Sequence, residues 1–581
     1  MIRMVVVVML AILAATGHGQ VQFQLRTPQE LGIDTVFSYI NNSFLDYDGD
    51  GWLDFFSYVI YRNDGAGTSF SRLDSTRIFE SELVDWADFD GDGRPDMVTN
   101  RKYGGNTVDT NFILIYRNEG PPNWTLRNIG DSLGLGRQDT IFDRDLVDPA
   151  WFDYNGDGWL DFFLTSYEWP VNSASGRPDY LFRSEAGQSF TDVSDETNVS
   201  LRWYCSRGAS LFDFDEDGDV DVFVSVYRLQ PNALWQNGGD GTFIDVAEEK
   251  GVAGLYISGY YGHNIGAAIA DYDNDGHLDI FTPITHHAGY PGDSTGHLWI
   301  SDGPPDWTFS DRFTGSGMLN TEIGSSPSCA DFDNDGDEDL LWTNLYGAPD
   351  SEYYLYRNDG DCQFTEVGDS VGLGPRQRIN YGLWADFNND GAIDLFWARY
   401  DGSAYHYEFW VNSGVAGNHW LEVDLAGRSP NTSAIGARLD LYADTLRVVR
   451  EVLHNQGEHY GSHFVARQHF GLGAHDAIDS LVIRWPDKTR NVYTELAIDT
   501  ILKFEQGSPG IAEPVISYPA RTRFARAGVE LTLPDGTTAV FDAAGRVRRA
   551  PSVDDKSWIP PAAGVYFTAA RTGPALKLVV R

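Results

Sequence analysis

The hydrophobic and polar positions of the chain follow a repeating unit, in which a short acidic turn precedes a short apolar run. Phe55-Phe56, Val222-Phe223 and Leu395-Phe396 open three of these runs, each directly after an acidic turn. Short apolar runs bounded by turn residues predict buried β-strands. No amphipathic helical pattern separates them, so the hydrophobic pattern predicts an all-β chain.

The acidic turn is a nine-residue loop that occurs seven times. The copies begin at Asp46, Asp88, Asp153, Asp213, Asp271, Asp331 and Asp386, and they are called loops 1 to 7 below. Position 3 holds Asp48, Asp90, Asn155, Asp215, Asp273, Asp333 and Asn388. Position 5 holds Asp50, Asp92, Asp157, Asp217, Asp275, Asp335 and Asp390. Position 9 holds Asp54, Asp96, Asp161, Asp221, Asp279, Asp339 and Asp394.

This spacing predicts a calcium site in each loop. Ca²⁺ takes six to eight oxygen ligands in irregular geometry, and oxygens on alternate residues of a tight turn converge on one point. Position 6 is always glycine, which allows a sharp bend at positive φ. The alternative is a set of solvated acidic turns without metal, but seven copies in register favour up to seven bound Ca²⁺.

Positions 7 and 2 support the same interpretation. Position 7 is too varied for a side-chain ligand, so its main-chain carbonyl is the predicted ligand; it is occupied by Trp52, Arg94, Trp159, Asp219, His277, Asp337 and Ala392. Position 2 is always Tyr or Phe, from Tyr47 in loop 1 to Phe387 in loop 7. We expect this aromatic ring to pack between repeats while its acidic neighbours face the ion.

The loops recur at intervals of 42 to 65 residues, which indicates a repeat architecture. After each loop and strand comes Asn or Ser and then a glycine turn, as in Asn63-Asp-Gly65 and Asn358-Asp-Gly360. Several short strands per repeat predict a β-propeller with seven blades. The seventh repeat lacks its last strand, so we expect residues 21–25 to supply it; the alternative is a disordered spacer.

These motifs resemble a known family of repeats. The D-x-D-x-D-G-x-x-D loop with N-x-G-x-x-F turns is similar to the FG-GAP/VCBS repeat of integrin-α-type propellers, here within residues 20–415. The resemblance implies a calcium-stabilised propeller and leaves the ligand unspecified.

A different module follows at residues 416–506. Asn418-His419-Trp420, Asn431 to Arg438, and Asp479 to Pro486 closely resemble the ASPIC/UnbV domain, which accompanies VCBS repeats in cartilage-acidic-protein-like molecules. Its four clustered histidines match no compact zinc motif, so packing or surface roles are favoured over a zinc site; they are His454, His459, His463 and His469. Arg438 and Arg484 are expected to pair with acidic residues, and an anion site is the alternative.

Residues 507–514 are predicted to be a linker, and residues 515–581 a third β domain. Gly564-Val-Tyr-Phe567 and the terminal Lys577-Leu-Val-Val-Arg581 resemble the C-terminal sorting domain of bacterial type IX secretion substrates. An ordinary immunoglobulin-like module is the alternative. The predicted fold class is therefore all-β, a seven-bladed propeller followed by two small β domains.

Charge and termini indicate the compartment. The net charge of −43 disfavours nucleic acid and anionic membranes as partners. Residues 1–19 read as a signal peptide, since the apolar run after Arg3 is short for a membrane-spanning anchor. No later segment predicts a membrane span. Cys205, Cys329 and Cys362 allow one disulfide at most.

The sequence shows no nucleophile, metalloprotease, phosphate-binding or dinucleotide motif, so no catalytic residue is assigned. We therefore expect a secreted or outer-surface, calcium-binding adhesion or interaction protein with a protein or glycan ligand. The alternative is an extracellular polysaccharide-active enzyme of the lyase type, since paired carboxylates abound and some calcium-rich propellers are lyases.

Overall fold

The computed structural model describes residues 21–34, 42–65, 67–78, 83–103, 110–135, 146–168, 175–285, 292–319, 324–344, 352–401, 403–454 and 466–508, together with short strands beyond residue 508. The predicted signal peptide lies outside these residues. In the described part of the chain, no helix is both long enough and apolar enough to cross a membrane.

Antiparallel four-stranded sheets dominate residues 21–412, and seven of them lie within the described ranges. Sheets 1 to 7 are numbered by the loop that joins their first two strands. Sheet 1 holds β2 (Asn42–Leu45), β3 (Asp54–Ser57), β4 (Ile60–Asn63) and β5 (Phe70–Leu73); sheet 2 holds β6 (Val84–Ala87), β7 (Asp96–Tyr103), β8 (Thr110–Asn118) and β9 (Leu126–Asn128); sheet 3 holds β10 (Leu146–Phe152), β11 (Asp161–Ser166), β12 (Tyr180–Ser184) and β13 (Phe190–Asp192). Sheet 4 holds β14 (Ser206–Phe212), β15 (Asp221–Val226), β16 (Ala233–Asn237) and β17 (Phe243–Asp245); sheet 5 holds β18 (Ala268–Ala270), β19 (Asp279–Thr282), β20 (His297–Ser301) and β21 (Phe309–Asp311); sheet 6 holds β22 (Ser326–Ala330), β23 (Asp339–Thr343), β24 (Tyr354–Asn358) and β25 (Phe364–Glu366).

Sheet 7 is completed by a strand from the other end of the chain. It holds β26 (Ile379–Ala385), β27 (Asp394–Tyr400), β28 (Tyr405–Asn412) and β1 (Phe23–Arg26). In β1, Phe23 is paired with Asn412 in antiparallel register. The expectation that the N-terminal stretch closes the last sheet is thus confirmed. The sheets form a β-propeller, in which the first strands of neighbouring sheets pack together from sheet 2 through sheet 7 to sheet 1.

The position-2 aromatic rings join adjacent sheets, as the sequence predicts. Phe387 of loop 7 stacks on Phe44 of sheet 1 at 5.8 Å between ring centroids, which places the last sheet against the first. Tyr47 of loop 1 contacts Trp86 of sheet 2 at 6.3 Å. Such aromatic pairs add stability beyond the area they bury.

The glycine turns add a hydrogen bond between sheets that the sequence alone did not reveal. In five repeats the turn asparagine donates its side-chain amide to the position-2 carbonyl of the preceding loop, at 2.7 to 3.2 Å; the donors are Asn63, Asn118, Asn237, Asn358 and Asn412. Ser184 and Ser301 stand at this position in sheets 3 and 5, and the serine hydroxyl accepts a turn N–H instead.

Helices are few and short in the described residues. One α-helix, α1, spans Ala247–Lys250, and 3₁₀ turns span Asp74–Thr76, Gly130–Leu133 and Val199–Leu201. All of them lie in connections between the last strand of one sheet and the first strand of the next.

The second domain is a pair of four-stranded sheets. Its strands are β29 (His419–Ala426), β30 (Arg438–Ala443), β31 (Leu446–Glu451), β32 (Gln468–Gly473), β33 (Ser480–Arg484), β34 (Arg490–Tyr493), β35 (Thr500–Glu505) and β36 (Glu513–Pro514). One sheet has the order β32-β29-β35-β36, in which β29 and β35 are parallel, and the other has the order β31-β30-β33-β34. Strand β36 lies in the predicted linker, so part of that segment belongs to this sheet.

The two domains share one hydrophobic core. A single cluster joins Trp151 and Leu211 of the propeller to Leu421, Phe470 and Trp485 of the second domain. Because these side chains are almost fully buried, the second domain is packed onto the propeller rather than tethered to it.

The third domain contains a five-stranded sheet of order β37-β43-β42-β39-β40 and a pair β38-β41. The strands are β37 (Arg523–Ala525), β38 (Leu531–Thr532), β39 (Thr537–Asp542), β40 (Val547–Arg549), β41 (Ser557–Trp558), β42 (Gly564–Ala570) and β43 (Lys577–Val580).

Candidate metal centres

The seven loops share one main-chain conformation. Every position-6 glycine has a φ angle between 83° and 98°, as the sequence predicts. Its N–H donates to the position-1 carboxylate at 2.6 to 3.0 Å in all seven copies. The position-7 N–H donates to the position-5 carboxylate at 2.8 to 3.1 Å. These bonds hold the acidic side chains on the inner side of the turn.

Position 4 is a second left-handed position that sequence reasoning missed. Its φ angles lie between 54° and 75° in all seven loops, at Gly49, Gly91, Gly156, Glu216, Asn274, Asn334 and Asn389. Six of these are Gly or Asn, the residues that adopt this conformation most readily. The prevalence of Gly and Asn at position 4 was the sequence signal that could have predicted this left-handed conformation.

Carboxylates converge in five loops. One oxygen from each of three side chains lies within 4.8 Å of the other two in the groups Asp46-Asp48-Asp50, Asp88-Asp90-Asp96, Asp213-Asp215-Asp221, Asp271-Asp273-Asp279 and Asp331-Asp333-Asp339. In four of these groups, positions 1, 3 and 9 meet, so the structure brings together residues eight positions apart in sequence. Among the described residues, position 5 joins such a group only in loop 1.

Several of these oxygens are buried without any hydrogen-bond donor in the protein. Examples are Asp96 Oδ2, Asp213 Oδ1 and Asp271 Oδ1, each on a side chain that is at least nine-tenths buried. A buried, unpaired carboxylate oxygen is costly unless a cation or a donor satisfies it. The residues therefore fit a hard cation held by oxygen ligands, such as Ca²⁺.

The electrostatics of the loops lead to the same conclusion. Burial, reinforced by the charge of Asp275, raises the pKa of Asp271 to about 8. Burial and the nearby Asp50 raise the pKa of Asp46 to about 7. The pKa of the position-9 residue Asp221 is also raised well above its ordinary value, mainly by burial. Without a cation, the ionised form of these groups is destabilised by burial and mutual repulsion.

Position 9 also ties each loop to the rest of its sheet. In all seven copies its Oδ1 accepts the backbone N–H of the turn Asn or Ser at 2.7 to 2.8 Å. In five sheets this turn residue is an asparagine whose side chain also donates to the preceding loop. Cation binding at position 9 would therefore influence the contacts between neighbouring sheets.

Loops 1, 3 and 7 differ from the rest. In loop 1, the Arg62 guanidinium pairs with the position-3 carboxylate of Asp48. In loops 3 and 7, the side-chain oxygens of Asn155 and Asn388 each accept the position-5 N–H at 2.9 Å. No group of three converging carboxylates includes loop 3 or loop 7 in the described residues.

The varied side chains of position 7 have a local packing role. In loops 1 and 5 the side chain lies beside the glycine turn of its own sheet: a Cβ added to Gly65 would lie 3.4 Å from Trp52 Nε1, and one added to Gly303 would lie 3.0 Å from the His277 ring. The side chain therefore points at the turn, which leaves the main-chain carbonyl as the predicted ligand.

The sequence favoured packing or surface roles for the four histidines, and the two that are described, His454 and His469, are buried packing residues. His454 is buried with its ring nitrogens 3.6 Å from Asp85 and 3.7 Å from Asp148, and these carboxylates outweigh burial to raise its pKa to about 10. His469 Nε2 lies 2.6 Å from Asn334 Oδ1. His459 and His463 lie outside the described residues.

The predicted arginine pairing is confirmed. Arg438 lies 3.0 Å from Glu216, and Arg484 lies 3.1 Å from Asp213. The three cysteines are buried and free, so the disulfide that the sequence allowed is not formed.

Comparison with known proteins gives these features a name. The FG-GAP-like repeat model matches residues 46–99, 153–224, 213–282 and 331–397, and each match begins at position 1 of a loop. The ASPIC and UnbV model matches residues 427–510. The chain contains FG-GAP-like repeats and an ASPIC/UnbV domain.

Similar proteins match this chain over part of their own length. Cartilage acidic protein 1 from Homo sapiens is 27% identical over 414 residues, which cover 69% of this chain and 59% of the relative, and the Mus musculus protein is 26% identical over 69% and 60%. The match thus spans about three-fifths of each relative.

Among solved structures, similarity is remote. An Agrocybe aegerita lectin described as recognising non-reducing terminal N-acetylglucosamine has 16% identity and a TM-score of 0.37, covering 67% of this chain and 94% of the lectin. Trypanosoma rangeli sialidase has 10% identity and a TM-score of 0.32, covering 64% and 59%.

Proposed function

We propose that this protein is a secreted or cell-surface, non-catalytic binding protein whose seven-bladed propeller is stabilised by Ca²⁺ in its FG-GAP-like loops. The observation that carries the proposal is the convergence of buried carboxylates in loops 2, 4, 5 and 6, with oxygens that no protein group satisfies. Positions 1, 3, 5 and 9 and the position-7 carbonyl would hold the ion.

The role of calcium in this proposal is structural. A cation that binds only the folded loop stabilises the fold by mass action. Because the position-9 carboxylate also accepts the N–H of the turn that joins neighbouring sheets, the stabilisation would reach the contacts between blades. The ligand of the propeller would be a protein or glycan outside the cell, as the acidic surface and the predicted signal peptide suggest.

The test is calcium removal from the full chain. Bound metal is measured by elemental analysis, and thermal unfolding is followed with excess Ca²⁺ and with chelator. We expect several bound Ca²⁺ per chain and an unfolding midpoint many degrees higher with calcium. Asp273→Asn should lower the calcium affinity, whereas Asp240→Asn, a matched change in an exposed turn, should not. Identical midpoints with and without calcium would refute the proposal.

Binding itself is tested by capture of partners from the native surface or matrix. Capture that depends on calcium, with no turnover of pectic or other acidic glycans, supports a binding protein. Glycan cleavage that depends on residues outside the loops would instead support an enzyme.

We also propose that residues 515–581 act as an export signal of the type IX kind. The support is the resemblance of Gly564-Val-Tyr-Phe567 and of the terminal segment to such signals. The five-stranded sheet formed there is compatible with a small separate domain.

A further inference from the structure

The ASPIC/UnbV domain lies over the face of the propeller that carries the acidic loops. Within the described residues, it makes hydrogen bonds or ion pairs to six of the seven loops. Thr432 and Ser433 bond Asp88 of loop 2. The Gly473 N–H donates to the carbonyl of Asn334 in loop 6 at 2.8 Å, so the main chain of β32 is tied directly to that loop.

Within the described residues, four arginines of this domain donate to main-chain carbonyls of the loops. Arg438 donates to the carbonyl of Gly276 at 2.6 Å, and Arg447 donates to the carbonyl of Asp275 at 2.9 Å, so both arginines bind loop 5. Arg484 donates to the carbonyl of Glu216 in loop 4 at 3.0 Å. These carbonyls belong to positions 4, 5 and 6, and their directions are set by the left-handed bends of the loop.

The fourth arginine, Arg467, lies where the ring of sheets closes. It donates to the carbonyl of Gly51 in loop 1 at 3.0 Å and to Asn389 Oδ1 in loop 7 at 2.8 Å. Its side chain is only 3% exposed, and its charge is balanced by Glu422 and Asp424 of its own domain. One buried guanidinium thus connects the first and last blades of the propeller.

The position-6 glycines also fit the domain by shape. In five loops, an added Cβ would meet a side chain of the ASPIC/UnbV domain within 3.5 Å; the pairs are Gly158 with Pro430, Gly218 with Lys488, Gly276 with Arg447, Gly336 with Leu446, and Gly391 with Trp420. Glycine at position 6 therefore serves two purposes. It permits the bend of the loop, and it leaves room for the domain above.

We infer that the ASPIC/UnbV domain is a cap whose docking is coupled to calcium binding in the loops beneath it. The cap binds carbonyls that have the correct direction only in the folded loop, and calcium would stabilise that same loop conformation. Each event therefore favours the other, and the coupling is reciprocal by thermodynamic linkage. A further consequence is that an outside partner must bind the opposite face or the rim of the propeller, because the cap covers the loop face.

This inference rests on the proposed function, since it requires calcium in the loops. The experiment uses the full chain and compares Arg447→Met with Arg490→Met, a matched change at an exposed cap position that makes no loop contact within the described residues. Bound calcium at saturation and apparent affinity by chelator competition are measured for both. We expect saturation to be retained and the affinity of Arg447→Met to fall about fivefold or more, the lower end of the usual range for coupled sites. The control should stay within about twofold of the wild type.

A second measurement needs no variant. Amide hydrogen exchange in β31 and β32 of the unmodified chain should be faster without calcium than with it, under conditions where β15 and β23 of the propeller remain protected. The coupling would be overturned if the two variants bound calcium with equal affinity and amide hydrogen exchange in β31 and β32 did not depend on calcium. The calcium sites themselves would stand in that case. A wild-type chain that binds no calcium would instead overturn the proposed function itself.

Discussion

The asparagine of the glycine turn offers a direct test of how the blades are held together. Asn237 is buried, and its side-chain amide donates to the carbonyl of Tyr154 in the preceding loop at 2.8 Å. Its side-chain oxygen accepts the Gly239 N–H at 3.1 Å. We predict that Asn237→Ser breaks the contact between blades and keeps the bond within the turn, because serine occupies this position in sheets 3 and 5.

The expected loss of folding stability follows from the polar group that the substitution leaves unpaired. The substitution removes the amide donor of the Tyr154 carbonyl, and a buried acceptor without a partner costs about 1–3 kcal/mol. The matched control is Thr242→Val in the same turn, which removes the exposed bond from the Thr242 hydroxyl to Asp240 Oδ1 at 2.7 Å. Because water can replace this partner, the loss costs about 1 kcal/mol or less.

The assay is denaturant unfolding of the full chain at saturating calcium, followed by tryptophan fluorescence. Asn237→Ser should shift the first transition to lower denaturant by clearly more than Thr242→Val does. If the two variants lose the same stability, the bond between blades contributes nothing measurable and the reasoning is wrong.

Three further predictions concern metal, pH and export. In the presence of chelator, the folded loops resist ionisation, because the pKa values of loop carboxylates such as Asp46 and Asp271 are raised. The protein should therefore be most stable near pH 4 and become progressively less stable as the pH rises towards about 8. The gain in unfolding temperature on adding calcium should therefore grow with pH, and a gain that is constant from about pH 5 to 8 would contradict this. At limiting calcium, loops 3 and 7 should fill last, since Asn155 and Asn388 lower the ligand charge; anomalous scattering at each loop measures the order, and early filling of either loop counts against it. Deleting residues 515–581 should leave a folded, calcium-binding chain that stays in the periplasm, whereas undiminished surface display of the truncated chain would show that this block is an ordinary structural domain.

The sequence was sufficient to predict the repeat, the all-β class and the strand that closes the last sheet. These features depend on local properties: acidic residues at alternate positions, glycine at a left-handed bend, and short apolar runs after each turn. The position-2 aromatic ring was also predictable, because an apolar ring beside a ring of carboxylates has to pack away from them. Apart from the closing strand, which pairs Phe23 with Asn412, each of these signals is contained within one repeat of about 40 to 65 residues.

The tertiary structure decided what lies between the repeats and above them. The bond from Asn237 to Tyr154 joins residues 83 positions apart, and no local pattern specifies that partner. Arg467 looked like any charged residue in the sequence, yet it is buried between the first and last loops, because chain closure brings together segments that are 416 and 78 positions away from it. Such contacts are set by the packing of whole sheets and domains. For that reason, the sequence predicted metal sites in the loops, and only the fold showed that a second domain covers these loops.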